Sequence, residues 1–119
     1  MMTYICSPLS APTRAEMLAN AAKAMTYMSK AESEFGGRAV APHAYLPYLL
    51  DDRIPEEREL ALDFGRKLLA LCSQVAVYGP RISEGMKAEI QLAEDLGLPI
   101  YYRSGVLGTD AAGGVRDAV

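Results

Sequence analysis

The chain has 119 residues, of which 50% are hydrophobic and 23% charged, a composition typical of one globular domain with a single core. Its formal net charge is −3, and it has no Lys/Arg cluster to neutralise phosphates, which argues against a nucleic-acid-binding protein. It has no run of about 18 apolar residues and no charged-then-apolar leader, so we expect a cytoplasmic protein without a membrane span.

The two cysteines, Cys6 and Cys72, each lie in a predicted apolar element. This position favours reduced core cysteines over a disulfide or a metal pair. With one histidine and no Cys-x-x-Cys motif, the chain has little from which to build a zinc site. We therefore expect neither a metal nor a cofactor.

The chain begins with a predicted strand, Thr3–Cys6, followed by a loop over Ser7–Pro12. Thr13 and Glu16 then predict a capping box, in which Thr13 accepts a hydrogen bond from the helix backbone and Glu16 reaches back. The helix that follows places three apolar residues on one face, which we expect to be its buried face: Leu18, Ala22 and Met25.

Gly36-Gly37 predict the end of that helix, because glycine tolerates the left-handed conformation of a C-terminal cap. Arg38–Ala41 is a second, weaker strand, and Pro42–Ile54 is predicted to be a loop with one short helical turn. Pro55 suits the first turn of the next helix. The apolar residues of this second helix recur at helical spacing and predict its buried face: Leu60, Phe64, Leu68 and Leu71.

A short, β-branched run that is closed by Gly-Pro predicts a buried third strand over Val75–Tyr78. The third helix is predicted to begin at Ser83 and to end near Leu96, before a fourth strand over Ile100–Tyr102. From residue 104 onward the sequence has no sustained periodicity. We therefore expect a domain over 1–103 and a flexible tail over 104–119.

Strands that alternate with helices pair in parallel through right-handed crossovers. The sequence thus predicts an α/β fold, a three-layer α/β/α sandwich of flavodoxin- or Rossmann-like type, with four parallel strands in the order 2-1-3-4. Its ligand crevice should lie at the carboxyl ends of strands one and three, where the strand order reverses. This places the Ser7–Pro12 and Gly79–Ser83 loops together, with Pro42–Asp52 over the same edge.

The junction after strand three carries four candidate binding residues, Ser83, Glu84, Gly85 and Met86. In the helix that follows, Glu89 lies beside an inward stripe of Met86, Ile90 and Ala93. A carboxylate near an apolar face either forms an ion pair or takes part in the function of the protein. The structural alternative is an ion pair with a cation of a partner chain or with one of two nearby cations, Lys87 and Arg81.

Six segments, in this order, resemble the nucleoside 2-deoxyribosyltransferase-like superfamily, and most closely its small bacterial and phage branch of the domain-of-unknown-function 4406 type. The similarity covers roughly residues 3 to 102. The segments are Tyr4-Ile-Cys-Ser-Pro, Ala41-Pro-His43, Asp51-Asp52, Pro55-Glu-Glu-Arg, Val75-Ala-Val-Tyr-Gly and Ser83-Glu-Gly-Met-x-x-Glu89-Ile.

This resemblance implies cleavage or transfer at the N-glycosidic bond of a nucleoside or nucleotide, in a homodimer or larger homo-oligomer. Glu89 falls on the position of the relatives' nucleophile, and Tyr4 falls on that of the tyrosine that orients it. The relatives carry an acid/base aspartate on the helix before strand three. Here Gly65 falls at about that position, and Asp63 is the nearest carboxylate. The relatives' glycine-rich loop is replaced by Ser7–Ser10, and their aspartate at the start of strand three by Ser73.

Each remaining candidate has two interpretations. His43 is either the acid that assists the leaving base or a structural loop residue. Asp51 and Asp52 either replace the missing acid or cap the helix at Pro55, and Glu84 either contacts a ribose hydroxyl or complements the helix dipole. The other candidates are hydroxyls that could bind phosphate or sugar, Ser7 and Ser10, and aromatics that either stack on a base or pack in the core, Tyr45, Tyr48 and Tyr78.

Two functions remain open on the sequence. One is an enzyme with Glu89 as nucleophile, Tyr4 as its orienting group, and His43 or one of Asp51, Asp52 and Asp63 assisting departure. The other is a non-catalytic nucleotide-binding or sensing module that kept the crevice and lost the acid. A structural interaction domain is a third, weaker alternative.

Overall fold

Four parallel strands and four helices make up the fold of residues 1–103, the part of the chain that a computed structural model describes. The predicted tail, 104–119, lies outside the described residues. None of the helices within residues 1–103 has both the length and the apolar character needed to cross a membrane. The elements in chain order are β1 (Met2–Cys6), α1 (Arg14–Phe35), β2 (Arg38–Val40), α2 (Pro42–Leu49), α3 (Pro55–Ala70), β3 (Gln74–Val77), α4 (Glu84–Asp95) and β4 (Ile100–Tyr102).

The sheet has the predicted order, β2-β1-β3-β4, and all of its strand pairs are parallel. Tyr4 in β1 is in register with Val40 of β2 and with Val75 of β3. Because successive side chains of a strand point to opposite faces, β1 serves both outer layers. Tyr4 and Cys6 pack toward α3 and α4, whereas Ile5 packs toward α1 and α2.

The layer of α1 lies close to the sheet through small residues. Its buried positions are Met17, Ala21, Ala24 and Ala31. The predicted buried face was wrong, since Ala22 and Met25 are exposed and Leu18 is only half-buried. Both faces of this helix are rich in Ala and Met, so hydrophobic periodicity could not distinguish them.

The ends of α1 follow the prediction with one change. Thr13 is the N-cap, and its hydroxyl oxygen accepts from the Glu16 N–H at 3.1 Å. The Glu16 carboxylate accepts from the Thr13 hydroxyl at 2.8 Å, rather than from the backbone as predicted. The helix ends at Gly36 and Gly37, whose φ angles of 76° and 68° are those that glycine adopts without strain.

A helix of two turns, α2, occupies most of the predicted loop over Pro42–Ile54, which corrects that prediction. Pro42 stands at the start of the helix, where the missing N–H of proline costs nothing. Pro47 lies inside it and is buried, and its carbonyl accepts from the Arg14 guanidinium at 2.8 Å. Ala44 packs into the core beside α1. Tertiary packing therefore stabilises a helix that its proline content argued against.

The orientation of α3 is also a correction. Three of the four residues predicted to be buried are exposed, namely Leu60, Phe64 and Leu71 at 57%, 50% and 75%, and Leu68 is half-buried. The face turned to the sheet contains Gly65 and Leu69 instead. A Cβ at position 65 would lie 3.4 Å from the Tyr4 hydroxyl, so the glycine brings α3 close to β1.

The last helix, α4, matches its prediction. Ser83 is its N-cap, accepting from the Met86 N–H at 3.3 Å, and Leu96 is its C-cap. Met86 and Ala93 are buried and Ile90 is partly buried against them. The inward stripe is therefore confirmed, and Glu89 lies beside it as expected. Cys6 and Cys72 are both free and buried, also as predicted.

Candidate active site

A cavity of about 480 Å³ opens at the carboxyl ends of β1 and β3, where the sequence predicted the crevice. Helices α2, α3 and α4 form its walls, so the segment over Pro42–Asp52 does lie over this edge of the sheet. The volume lies in the range of small-molecule sites. Most of the walls are apolar, and the side chains concerned include Leu9, Met17, Leu46, Leu50, Leu62, Leu69 and Leu92.

Glu89 and Tyr4 meet at the base of this cavity. The Tyr4 hydroxyl donates to Glu89 Oε2 at 2.5 Å. Burial, and then the charge and hydrogen bond of Glu89, raise the pKa of Tyr4 well above its usual value. The phenol therefore stays protonated and remains a donor to the carboxylate at any physiological pH. The side chain of Glu89 is 19% exposed, on the cavity side.

The other carboxylate oxygen, Glu89 Oε1, is buried and has no hydrogen-bond partner among the described residues. An unpaired buried oxygen of this kind is costly unless something else contacts it. Cys6 lies fully buried on the same side of the sheet, and burial, followed by Glu89, raises the pKa of its thiol. The carboxylate thus has Oε2 held by Tyr4, whereas Oε1 is enclosed by the protein without a hydrogen bond among the described residues.

His43, at the start of α2, faces the same carboxylate. Its Nδ1 lies 3.0 Å from the Ser7 carbonyl oxygen, and its Nε2 lies 3.8 Å from Glu89 Oε2. Because a carbonyl can only accept, Nδ1 carries the hydrogen. Nε2 is therefore the ring nitrogen that faces Glu89. The structure places His43 in the cavity wall rather than in a remote loop.

The beginning of α4 supplies the four predicted residues Ser83, Glu84, Gly85 and Met86 to the cavity wall. A Cβ at Gly85 would meet nothing within 4 Å, so this turn is open to a ligand. The Glu84 side chain is 90% exposed and accepts from Lys87 at 3.0 Å. This geometry agrees with the interpretation of Glu84 as a residue that complements the helix dipole.

The two serines after β1 occupy different places. Ser10 lines the cavity, and its carbonyl accepts from the Arg81 guanidinium at 3.3 Å. Ser7 lies behind the wall, where its hydroxyl oxygen is buried without a partner among the described residues. Its contribution to the site is the carbonyl that fixes His43, a role that the sequence did not indicate.

Asp51 and Asp52 also lie in different places relative to the cavity. Asp51 lies outside the cavity wall and binds Arg53 through the backbone N–H and the guanidinium, which lowers the pKa of Asp51 to about 2. This is the geometry of a turn that precedes α3. Asp52 lines the cavity and pairs with Arg58 at 2.8 Å. Of the two, only Asp52 is within reach of a ligand.

The predicted substitute acid, Asp63, lies on the wrong side of α3. It is absent from the cavity wall and pairs with Lys67 at 3.1 Å. Two residues along a helix correspond to a rotation of about 200°, so a side chain at 63 points away from the face that carries Gly65. Asp63 is therefore not positioned to act in the cavity.

The predicted aromatic stack is not found in the cavity. Tyr45 and Tyr48 are half-exposed or more on the outer side of α2, and neither lines the wall. Tyr78 is buried on the opposite side of the sheet, where its ring stacks on Tyr27 with centroids 4.8 Å apart. The cavity wall is instead lined largely by aliphatic side chains.

Three charged residues of α3 line the cavity and were missed on the sequence: Glu57, Arg58 and Arg66. Glu57 accepts from the Asp51 N–H at 2.6 Å, which ties the preceding loop to the helix. Within residues 1–103, Arg66 has long ion-pair contacts with Glu59 and Asp63, at 3.9 and 4.0 Å. Positions 58, 61, 62, 65, 66 and 69 recur at helical spacing. This spacing could have indicated that they share the face of α3 that lines the cavity.

Within residues 1–103, no group of three or more His, Cys, Asp or Glu side chains is placed to hold a metal ion.

Comparison with known proteins assigns the chain to one family. The family model described as "Domain of unknown function (DUF7768)" matches residues 1–103, and the chain therefore belongs to that family. Neither the search among curated proteins nor the search among solved structures gave a match. The resemblance to nucleoside 2-deoxyribosyltransferase-like proteins stays a prediction.

Proposed function

We propose that this protein cleaves or transfers at the N-glycosidic bond of a nucleoside or nucleotide, with Glu89 as the nucleophile. One observation carries the proposal: the Glu89 carboxylate lines a cavity, with Oε2 held by Tyr4 at 2.5 Å and 3.8 Å from His43 Nε2. A carboxylate fixed in a cavity wall in this way is pre-organised for attack on a bound sugar.

In the first step, the Glu89 carboxylate attacks the anomeric carbon of the sugar while the bond from that carbon to the base nitrogen breaks. The bonding electron pair leaves with the base, which takes up a proton. The transition state carries positive charge on the sugar ring, and a carboxylate beneath it stabilises that charge. The product of this step is a sugar ester of Glu89.

We assign the proton transfer to His43, because its Nε2 lies 3.8 Å from Glu89 Oε2. When Nε2 is protonated, it donates to the departing base, and the neutral imidazole that results can take a proton from water in the second step. That water attacks the anomeric carbon and releases Glu89, or a second base attacks in its place. The Ser7 carbonyl holds the ring in orientation throughout, because it binds Nδ1–H and leaves Nε2 to face the cavity.

The cavity suits a substrate with one flat apolar part and one polar part. Aliphatic walls from α2 and α3 fit a base, and the first turn of α4 with Ser83 offers backbone and hydroxyl donors to a sugar or phosphate. The cavity wall contains two arginines, Arg58 and Arg66. Within residues 1–103, the ion-pair contacts of Arg66 are longer than that of Arg58. The chemistry as proposed uses no cofactor, and the two buried thiols suit the cytoplasm.

A second candidate is a nucleotide-binding module without turnover. Gly65 supports it, because this position faces Tyr4 in the cavity wall and bears no acid, and Asp63 lies outside the wall. In that case the cavity would bind a nucleotide with Glu89 contacting a sugar hydroxyl. The two candidates agree on the site and differ only in bond cleavage.

One experiment separates them. The protein is incubated with a panel of deoxynucleosides, ribonucleosides and their 5′-monophosphates, with and without a second base, and base release is followed by chromatography. Binding of the same compounds is measured by calorimetry. Release or exchange of a base supports the enzyme, binding without release supports the module, and neither release nor binding contradicts both.

A further inference from the structure

Two side chains of β1 reach the same turn of α4. Tyr4 and Cys6 are two residues apart and therefore point to the same face of the sheet. The Tyr4 hydroxyl donates to Glu89 Oε2, and the Cys6 sulfur lies 3.8 Å from the carbonyl oxygen of Met86. Met86 precedes Glu89 by three residues, about one turn of the helix. The strand thus presents two proton donors, a phenol and a thiol, to the turn that carries the carboxylate.

The acceptor that the Cys6 thiol contacts is a poor one. Its 3.8 Å contact with the Met86 carbonyl is longer than the 3.4 Å contact between the second thiol, Cys72, and the Leu68 carbonyl. In an α-helix the carbonyl of residue 86 also accepts from the N–H of residue 90, so this oxygen already has a partner. Cys6 is fully buried. Its thiol is therefore a buried donor that is only weakly used.

Glu89 Oε1 is an acceptor without a donor. It is buried and forms no hydrogen bond within residues 1–103. Buried carboxylate oxygens are rarely left in this state, because the loss of water is costly. Burial, and then the neighbouring Glu89 carboxylate, raise the pKa of the Cys6 thiol, so the thiol keeps its proton. An unused acceptor and a weakly used donor are thus neighbours.

We propose that Cys6 is a positioning residue for Glu89, whose thiol donates to Oε1 as the Tyr4 hydroxyl donates to Oε2. In this arrangement the thiol turns from the Met86 carbonyl to the carboxylate. A hydrogen bond to a charged oxygen is stronger than one to a neutral carbonyl. Two donors, one for each oxygen, fix the plane of the carboxylate, whereas a single donor leaves it free to rotate. The consequence for turnover rests on the proposed function, but the hydrogen bond itself can be observed without a substrate.

The first test observes the S–H bond by infrared spectroscopy. Spectra of the wild type, Cys6→Ala and Cys72→Ala assign the two S–H stretching bands. We expect the Cys6 band at the lower frequency, because a charged acceptor weakens the S–H bond more than a backbone carbonyl does. Glu89→Gln should move the Cys6 band to higher frequency and leave the Cys72 band in place. Glu94→Gln, on the exposed side of α4, is the matched control and should move neither band.

The second test measures the rate of base release at saturating substrate, on compounds that the wild type turns over. Cys6→Ala removes the donor and should lower this rate about three- to tenfold. Cys6→Ser keeps a donor in this place and should retain most of the wild-type rate. A role in packing alone predicts the opposite order, because serine buries a hydroxyl in an apolar core and alanine does not. Cys72→Ala is the matched control, since it removes the second buried thiol of the same core, and should turn over like the wild type.

The outcomes distinguish this proposal from the function on which it rests. Circular dichroism melts confirm that each variant is folded. A wild type that releases no base, with a Cys6 band that moves in Glu89→Gln, would contradict the proposed function and support the hydrogen bond. A Cys6 band that stays in place in Glu89→Gln, a Cys6→Ala variant with the wild-type rate, or a Cys6→Ser variant slower than Cys6→Ala would each overturn the role of Cys6 and leave Glu89 as the nucleophile.

Discussion

Two tyrosines, one on each side of the sheet, show how differently the two sides are built. Tyr4 points from β1 toward α3 and α4, and its hydroxyl donates to Glu89 in a cavity. Tyr78 follows β3 and points toward α1, where its ring stacks on Tyr27 with an interplanar angle of 6°. The hydroxyl of Tyr78 is buried without a partner among the described residues.

The difference follows from the residues that each helix contributes. On the α1 side, alanines at 21, 24 and 31 bring the helix against the sheet and fill the space. On the other side, α2, α3 and α4 enclose an open volume over the end of the sheet, with Glu89 at its base. The α1 side is therefore closely packed, whereas the other side combines a core with the groups that could act on a ligand. Variants on the two sides should separate these contributions.

The largest effect is expected for Glu89→Gln, which keeps the shape and removes the negative charge. On the compounds that the wild type turns over, we expect the rate of base release to fall by about a thousandfold or more. Glu94→Gln, on the exposed part of the same helix, is the matched control and should turn over like the wild type. Equal rates in Glu89→Gln and wild type would exclude the proposed nucleophile.

The next effect is expected on the other side of the sheet and concerns stability alone. Ile5 is fully buried against the α1 layer, and Ile5→Ala should lower the free energy of unfolding by about 2–5 kcal/mol. Urea denaturation followed by circular dichroism gives this value. The turnover per folded molecule should stay that of the wild type, and a loss of turnover larger than the loss of folded protein would show that the two sides are coupled.

Tyr4→Phe should have a smaller effect, in the cavity. It removes a hydrogen bond to a charged group, worth about 1.5–3 kcal/mol, and the rate of base release should fall about ten- to a hundredfold. The rates are compared at saturating substrate, so that a change in binding does not enter. A Tyr4→Phe variant with the wild-type rate would show that the phenol does not position Glu89.

The smallest effect is expected for Tyr78→Phe, which removes an unpartnered hydroxyl and should leave turnover unchanged. Burial raises the pKa of Tyr78 to about 12, above its value in an unfolded chain. The stability that the neutral phenol contributes is therefore complete below about pH 10 and is lost as the pH rises toward 12. Urea denaturation at pH 8 and pH 11 should show a smaller alkaline loss in Tyr78→Phe than in wild type. An identical loss in both would contradict this assignment.

Much of the fold could be predicted because its strands have simple signals. A β-branched run closed by Gly-Pro predicted the third strand, and the alternation of strands with helices predicted the strand order. The meeting of Tyr4 and Glu89 is what the family resemblance implied. The strand order is consistent with it, since β1 lies next to β3 and α4 begins after β3.

The errors have a common physical cause, which is that hydrophobic periodicity does not say which face of a helix is covered. On α3, Leu60 and Phe64 are more apolar than Ala61 and Gly65, yet the small residues face the sheet because they let the helix approach Tyr4. The same rotation moves Asp63 out of the cavity. In α2, Pro47 indicated a loop, and only the packing of the folded chain shows why a helix forms there.

The stereochemistry of the reaction tests the central claim, that Glu89 forms a bond to the sugar. In the presence of methanol, a covalent intermediate is displaced a second time, so the methyl glycoside has the same anomeric configuration as the substrate. Proton NMR of the first product formed by the wild-type protein distinguishes the two configurations. Retention is the predicted result, and inversion, which requires direct attack without an intermediate on Glu89, would contradict the account.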